Sequence, residues 1–304
     1  MTSSQEYSPG LEGVVAGETA VSTIAGGLRY RGYDVGELAE QSDFEEVAFL
    51  LLHGELPKPS DLDDFVARLV SYRSVPETVV DVYRSIPLDA PAMDVLRTGV
   101  SALAHHDPET NTNEHQANVR KAEQLLARIP TLIAARSRLK RGLSPIEPRT
   151  DLDHSANMLY MLDGNEPEEI VRKALDVSLV LYAEHEYNAS TFAARVTAST
   201  LADIYGAVVA GISALRGPLH GGANEAVVEM LKQVGGSENA EVWIRRALKN
   251  RSLVMGFGHR IYKVEDPRAT ILKGFCRRIA PEYEATDWEE MAETIERIMW
   301  KEKR

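Results

Sequence analysis

Apolar residues recur at the three-to-four spacing of an α-helix along most of this chain. The first clear helix can be capped by Ser42 or Asp43, has apolar residues between Val47 and Leu52, and stops at the turn that Gly54 opens. Further helices are predicted at about 60–71, 76–85, 91–104 and 117–140 by the same spacing. Because no strong strand pattern appears after residue 30, the fold class is predicted to be almost all α (mostly α-helical).

The N-terminal part has a different pattern. In Leu11–Ile24, short alternations of valine, threonine and isoleucine are broken by glycine, which predicts a small strand pair or an extended arm. The following residues, Leu28–Ser42, are rich in turn-forming types and lead into a helix. The sequence therefore places a small non-helical element before the helical body.

The strongest helical signal begins at Pro167. Pro-Glu-Glu is a good helix start, and the later turns, Leu175–Ala183, are apolar nearly all round, which predicts a buried helix that presents His185 at its C-terminal end. A new helix is predicted near Thr191 and runs through alanines and glycines to about Ala214. Its small residues allow a close helix–helix crossing, either between subunits or inside the core. A last helical stripe, Met291–Met299, follows Thr286.

Composition narrows the class of protein. The net charge of −12 argues against non-specific binding to nucleic acid or anionic membranes. The N-terminus lacks a basic region followed by an apolar one, so a cytoplasmic location without membrane partners is expected. One cysteine, Cys276, excludes an internal disulfide and is predicted to be a packed or surface thiol on a helix.

One stretch, Tyr182–Arg268, concentrates the candidate chemistry around His185, His220 and His259. His220 lies in Gly-Pro-Leu-His-Gly-Gly, directly before a predicted helix at Ala223–Val234. A helix N-terminus favours an uncharged imidazole, which can donate a hydrogen bond to a carbonyl or enolate oxygen. The alternative is a histidine that only caps a turn.

The third histidine segment is the most basic. Gly256 and Gly258 flank an aromatic residue before His259, an arrangement that lets a ligand approach the backbone. Positive charge follows at once and suits a polyanionic substrate or a phosphate-bearing carrier. The cations concerned are Arg260, Lys263 and Arg268.

Zinc binding is the alternative use of scattered histidines, but none of the three shows the spacing of a zinc motif. A second histidine set lies in the polar stretch 105–116, which is predicted to be a solvated loop. Its members are His105, His106 and His115. No metal site is predicted.

The three histidine segments together resemble the citrate synthase family. The matching blocks are Ala-Glu-His-Glu-Tyr-Asn-Ala-Ser, Gly-Pro-Leu-His-Gly-Gly-Ala-Asn-Glu and Gly-Phe-Gly-His-Arg-Ile-Tyr-Lys-Val-Glu-Asp-Pro-Arg. N-terminal blocks resemble the bacterial and archaeal branch, so the likeness covers nearly the whole chain. It implies a homodimer with a large helical domain at 1–217, a small helical domain at 218–304, and an active site in the cleft between them.

The resemblance also implies a reaction and residue roles. Acetyl-CoA, as a substrate, would condense with oxaloacetate to citrate and free CoA, with no metal or cofactor. His220 would stabilise the enol of acetyl-CoA, and His259 would hydrogen-bond and protonate the oxaloacetate carbonyl. The remaining implied substrate contacts are His185, Arg268, Asn188 and Arg73 for oxaloacetate and Leu253, Val254, Met255, Gly256 and Lys263 for CoA.

Two departures from the family pattern stand out. Pro91 and Ala92 replace a His-Pro pair, with an expected local effect on packing. The family also continues beyond the point where this chain ends, with an Asn-Val-Asp motif whose aspartate removes the acetyl-CoA proton. The chain is therefore expected to be a shortened form or an incomplete record. Two alternatives stay open: a 2-methylcitrate synthase, which uses propionyl-CoA, or a non-catalytic remnant that binds ligand or dimerises.

Overall fold

We describe a computed structural model, which covers residues 16–218, 220–257 and 266–303. Helices dominate these residues, which confirms the predicted fold class. The helices are α1 (Val35–Gln41), α2 (Phe44–His53), α3 (Pro59–Tyr72), α4 (Glu77–Ser85), α5 (Ala92–Leu103), α6 (His115–Lys140), α7 (His154–Asp163), α8 (Glu169–Tyr182), α9 (Ala189–Ala198), α10 (Ile204–Leu215), α11 (Gly222–Val234), α12 (Ser237–Lys249), α13 (Pro267–Ile279) and α14 (Thr286–Lys303).

Short strands precede the helices and form a small antiparallel sheet. The strands are β1 (Ser22–Thr23), β2 (Arg29–Tyr30) and β3 (Tyr33–Asp34), in the order β1-β2-β3. Of the strand pair or extended arm expected at Leu11–Ile24, the described residues contain one strand, β1. It pairs Ser22 with Tyr30, and β2 and β3 lie in the stretch predicted as turns; residues 11–15 lie outside the described residues. Strands this short carry too few residues to show a periodic pattern.

Three apolar clusters stabilise the helices. The first joins α1, α2, α3 and α8 and includes apolar residues of α13; the second joins α4, α5, α6 and α10. The third joins α11, α12 and α14, and it buries Met291, Ile295 and Ile298 as the predicted stripe requires. Cys276, on α13, is an exposed thiol. The domain boundary after residue 217 stays a prediction.

The predicted single helix from Thr191 to Ala214 was wrong. It is two helices, α9 and α10, packed against each other. The break follows from local chemistry: Asp203 caps α10 by accepting a hydrogen bond from the Gly206 N–H, and Leu201 has a left-handed φ of 63°. Because both helices are rich in small residues, the chain folds back into the close crossing that the pattern predicted, here within one chain.

Helix α2 is capped from a distant part of the chain. Asp43 is its N-cap residue, as predicted, but its side chain makes no capping bond and lies 3.2 Å from Lys173 Nζ instead. The Phe44 N–H donates to the buried carboxylate of Asp176 on α8, at 3.2 Å. A tertiary contact therefore replaces the local cap.

A buried polar pair joins α2 to α7. The His154 N–H donates to Glu45 Oε1 at 2.7 Å, and the His154 ring packs on Phe44. Burial raises the pKa of Glu45 to about 7, and burial followed by the charge of Arg73 lowers the pKa of His154 to about 4. The buried environment between α2 and α7 therefore favours the neutral forms of the Glu45 and His154 side chains.

Candidate functional site

His185 lies in the loop between α8 and α9, directly beyond the helix end that was predicted to present it. Helix α8 ends at Tyr182, and Ala183 is its C-cap residue. The His185 side chain is half-buried. The prediction that α8 is buried on all sides holds for Val177, Val180 and Leu181, but Tyr182 is 57% exposed and marks the edge of the site.

Residues on both sides of His185 are hydrogen-bonded to the N-terminal sheet segment. The Glu186 N–H donates to Ser22 Oγ at 2.9 Å, and Ser22 Oγ donates to Glu184 Oε1 at 3.1 Å. The Glu184 N–H donates to the Tyr30 hydroxyl at 3.3 Å, and the Ile24 N–H donates to Glu186 Oε1 at 2.8 Å. We call the segment Ala183–Tyr187 the His185 loop; side chains and backbone from residues 22–30 hold it.

The His185 loop stores backbone strain. Glu186 has a φ of 54°, in the left-handed region that a residue with a side chain rarely adopts. Such a conformation costs about 1–3 kcal/mol and persists only where surrounding contacts define it. Burial raises the pKa of Glu184, against hydrogen bonds from Ser22 and from the backbone of His185 and Glu186 that lower it.

His220 ends the tight turn that precedes α11, as its glycines predicted. The N–H groups of His220 and Gly222 both donate to the Gly217 carbonyl, at 3.0 and 3.3 Å. A methyl group on Gly221 would lie 2.7 Å from the Leu215 carbonyl oxygen. Only glycine fits there, so the turn that carries His220 depends on the absence of a side chain. We call the segment Gly217–Gly221 the His220 turn.

The His220 ring contacts the first turn of α9. The Ser190 N–H donates to Nε2 at 3.3 Å, and Ser190 Oγ lies 2.9 Å from the same atom. The bond from the Ser190 N–H requires a lone pair on Nε2, as in the tautomer with its proton on Nδ1, whereas a proton on Nε2 would be donated to Ser190 Oγ. In the first tautomer the ring satisfies an otherwise unpaired N–H of the helix start and keeps its own N–H, on Nδ1, for a ligand.

Asn188 is the N-cap residue of α9. Its Oδ1 accepts from the Thr191 N–H at 2.9 Å and lies 2.6 Å from Ser190 Oγ. The residue expected to bind substrate thus also fixes the start of the helix that contacts His220.

Arg268, in the first turn of α13, lies beside the His185 loop. Its guanidinium forms a bidentate pair with Asp266, with Nη2 2.6 Å from Oδ2, and stands over the Tyr182 ring at 5.4 Å. The side chain is 12% exposed. A guanidinium held in this way presents a geometry that matches a carboxylate.

The stretch Tyr182–Ser190 therefore connects several predicted site residues. Tyr182 packs against Arg268, His185 follows in the loop, and Ser190 hydrogen-bonds His220. Tertiary folding brings His220, in the turn before α11, and Arg268, on α13, to this stretch, as was expected of site residues far apart in sequence.

The segment expected to contact CoA follows α12. Leu253 is 80% exposed, whereas Val254 is buried in the third cluster and Met255 packs against it. Gly256 has a φ of 88°, and a methyl group there would lie 3.3 Å from Val227 on α11. Because the Val254 side chain packs in the core, a ligand at this segment can reach the Val254 backbone and the Leu253 side chain.

His259 and Lys263 lie outside the described residues, as do Gly258, Arg260 and Leu219. Arg73 is buried at the end of α3, where it donates to the Arg149 carbonyl at 2.6 Å; this contact is in the α3–α7 region and not on the Tyr182–Ser190 stretch.

Within the described ranges, no cluster of His, Cys, Asp or Glu has the arrangement of a metal site, and no helix is long and apolar enough to span a bilayer.

Comparisons with known proteins agree on one family. The family model "Citrate synthase, C-terminal domain" matches residues 10–304. The chain belongs to the citrate synthase family. Citrate synthase 2 of Bacillus subtilis (strain 168) is 45% identical over 297 residues, which are 97% of this chain and 80% of that protein. A 2-methylcitrate synthase of Shewanella oneidensis is 42% identical over 97% of this chain and 79% of its own length.

Solved structures of citrate synthases show the same fold. The crystal structure from Pyrobaculum aerophilum has a TM-score of 0.88 at 39% identity and covers 96% of this chain and 77% of that one. The ternary complex of the Thermoplasma acidophilum enzyme with carboxymethyl coenzyme A and oxaloacetate has a TM-score of 0.92 at 30% identity and covers 98% and 80%. The all-α fold and the family resemblance are both confirmed.

Sequence reasoning missed the residues that support the site. Ser22, Tyr30 and Glu186 carry no local signal, because their contacts join residues more than a hundred positions apart. Ser190 lies in the same block as His185 and Asn188, but only the folded chain shows that its N–H contacts His220.

Proposed function

We propose that this chain has the citrate synthase activity of its family: condensation of acetyl-CoA with oxaloacetate to citrate and free CoA. The proposed reaction uses acetyl-CoA as a substrate and no metal or cofactor. The observation that carries the proposal is the contact of His220 Nε2 with Ser190, to which we assign the tautomer that accepts the Ser190 N–H and keeps a donor on Nδ1. The methyl group beside a thioester is a very weak acid, so its enolate needs a preorganised donor of this kind.

Oxaloacetate has two carboxylates, and Arg268 is suited to one of them. The arginine is held at the His185 loop by stacking on Tyr182 and already pairs with a carboxylate, that of Asp266. A substrate carboxylate can make the same bidentate contact. We assign Arg268, His185 and Asn188 to the binding of oxaloacetate, and His259 to its carbonyl. Arg73 lies away from the Tyr182–Ser190 stretch, at the Arg149 carbonyl.

CoA is assigned to the segment Leu253–Gly256 and to Lys263. Leu253 is exposed and Gly256 has the open backbone that close approach of a ligand needs. The homodimer and the cytoplasmic location are part of the same proposal. Exposed apolar side chains on and beside α9, Val196 and Leu201, support a covered surface there.

A second candidate, 2-methylcitrate synthase, is favoured by the 42% identity to the Shewanella oneidensis enzyme. The two activities differ in one methylene of the acyl group, so a small difference in the pocket separates them. Comparing the kcat/KM of this chain for acetyl-CoA and propionyl-CoA, each with oxaloacetate, decides between them.

The test is a thiol-release assay on the 304-residue chain with acyl-CoA and oxaloacetate, with oxaloacetate omitted as the control. Release that requires oxaloacetate, is faster with acetyl-CoA and leaves citrate supports the proposal. Faster release with propionyl-CoA supports the second candidate. Oxaloacetate binding measured by calorimetry without any thiol release would instead identify a ligand-binding chain without catalysis.

A further inference from the structure

We propose that Ser22 is a positioning residue for His185 and thereby sets the affinity of this chain for oxaloacetate. Ser22 lies on β1 and is buried, with 7% of its surface exposed. It makes no contact with substrate in this proposal, because it acts through the residues on either side of His185. The affinity statement rests on the proposed function, whereas the positioning of His185 does not.

One hydroxyl joins both neighbours of His185. Its oxygen accepts the Glu186 N–H at 2.9 Å and its proton goes to Glu184 Oε1 at 3.1 Å. The two bonds use a donor and an acceptor of the same atom at once, which a serine hydroxyl provides and an alanine methyl does not. The backbone on both sides of His185 is therefore fixed to the sheet by one side-chain atom.

The loop needs this support because Glu186 is strained. Its left-handed φ of 54° persists only if the native contacts outweigh the conformational cost. The Glu186 N–H and carboxylate are bound by Ser22 and by the Ile24 N–H, respectively. Removing the hydroxyl leaves the Glu186 N–H and the Glu184 carboxylate without this partner, and relaxing Glu186 toward an ordinary φ would rotate the peptide that follows His185.

The neighbouring residue supplies a matched control. Thr23 lies on the same strand, but among the described residues its hydroxyl accepts from the Ala25 N–H, at 3.2 Å, in an exposed local turn. Thr23→Val removes a hydroxyl of the same strand without touching the His185 loop. Ser22→Thr keeps the hydroxyl and tests rescue, and Ser22→Cys, with a weak donor of similar shape, replaces Ser22→Ala if that variant does not fold.

The experiment measures two quantities on the full 304-residue chain. The first is the ring ¹⁵N resonance of His185, identified by its loss in His185→Gln. The second is the oxaloacetate dissociation constant by titration calorimetry. We expect Ser22→Ala to shift or broaden the His185 resonance and to weaken oxaloacetate about tenfold, the size of one lost buried hydrogen bond. Thr23→Val should change neither quantity, and Ser22→Thr should restore both.

The outcomes separate this inference from the proposed function. If the unmodified chain does not bind oxaloacetate, the proposed function fails, and the His185 resonance alone decides the positioning role. A Ser22→Ala variant that melts earlier but keeps the His185 resonance of the unmodified chain would show a merely structural serine and overturn the inference. Equal shifts in Ser22→Ala and Thr23→Val would overturn it too.

Discussion

The His185 loop and the His220 turn present the same kind of side chain by opposite means. The His185 loop is held by hydrogen bonds from residues 22–30, about one hundred and sixty positions away in the chain, and it contains a strained Glu186. The His220 turn is held by its own backbone and by the lack of a side chain at Gly221. The first is therefore sensitive to the loss of a polar group, and the second to the gain of a methyl group.

The largest expected effect concerns the catalytic role assigned to the ring that the His220 turn presents. His220→Ala removes the imidazole that is assigned to donate to the enolate, so we expect kcat for thiol release to fall about 10²- to 10³-fold, as for other lost oxyanion donors. The oxaloacetate dissociation constant should change little, because oxaloacetate is assigned to the His185 loop. His105→Ala, at an exposed histidine outside the site, is the control. A kcat unchanged by His220→Ala would contradict the assigned role.

Next in size is the effect of a methyl group in the His220 turn. Gly221→Ala would place Cβ 2.6 Å from Leu215 Cδ1 and 2.7 Å from the Leu215 carbonyl oxygen, and the backbone oxygen has little room to move. We expect the free energy of unfolding in urea to fall by about 1–3 kcal/mol, as in an overpacked core. The control is Gly274→Ala on α13, where a methyl meets nothing within 4 Å and should stabilise the helix slightly. Equal effects would contradict the steric argument.

A third variant tests the oxaloacetate site that is assigned to Arg268 and the His185 loop. Arg268→Lys keeps the charge but loses the bidentate fork and the planar stacking on Tyr182. We expect oxaloacetate to bind about tenfold more weakly in calorimetry, the equivalent of about 1.4 kcal/mol. Arg277→Lys is the control, since Arg277 pairs with Glu293 on the exposed side of α13. Unchanged oxaloacetate affinity in Arg268→Lys would remove Arg268 from the substrate site.

The smallest expected effect is a pH dependence of the His185 loop. The pKa of Glu184 is raised by burial, so the folded chain holds this proton more tightly than the unfolded chain. The resulting stability is fully present below the ordinary pKa of 4.5 and is lost as the pH rises through the raised value. The free energy of unfolding of Glu184→Gln, relative to that of the unmodified chain, should therefore increase from pH 4 to pH 8.

An exposed carboxylate provides the opposite sign as a control. The hydrogen bond from Arg172 lowers the pKa of Glu169, so its contribution is present above its ordinary pKa and is lost as the pH falls. The free energy of unfolding of Glu169→Gln, relative to that of the unmodified chain, should accordingly decrease as the pH rises. The same pH trend in both variants would contradict the assignment for Glu184.

Local patterns sufficed for much of the helical framework. The apolar stripe of α14, the end of α8 shortly before His185 and the glycine turn before α11 were all predicted and found. Each depends on spacing or residue type within one or two turns of helix, which the sequence displays directly. The break between α9 and α10 was missed, although Asp203 is a good helix cap, because the run of small residues on both sides hid the boundary.

By itself the sequence determined the fold class, the family and the residue types of the site. These follow from helical periodicity and from compact blocks around His185 and His220, which need no knowledge of distant contacts. Only the tertiary structure decided how the site is held together: that Ser22 bonds both neighbours of His185, that Ser190 contacts the His220 ring, and that Asp176 caps α2. The physical reason is that these bonds join residues brought together by packing of the helices, and chain spacing carries no record of such contacts.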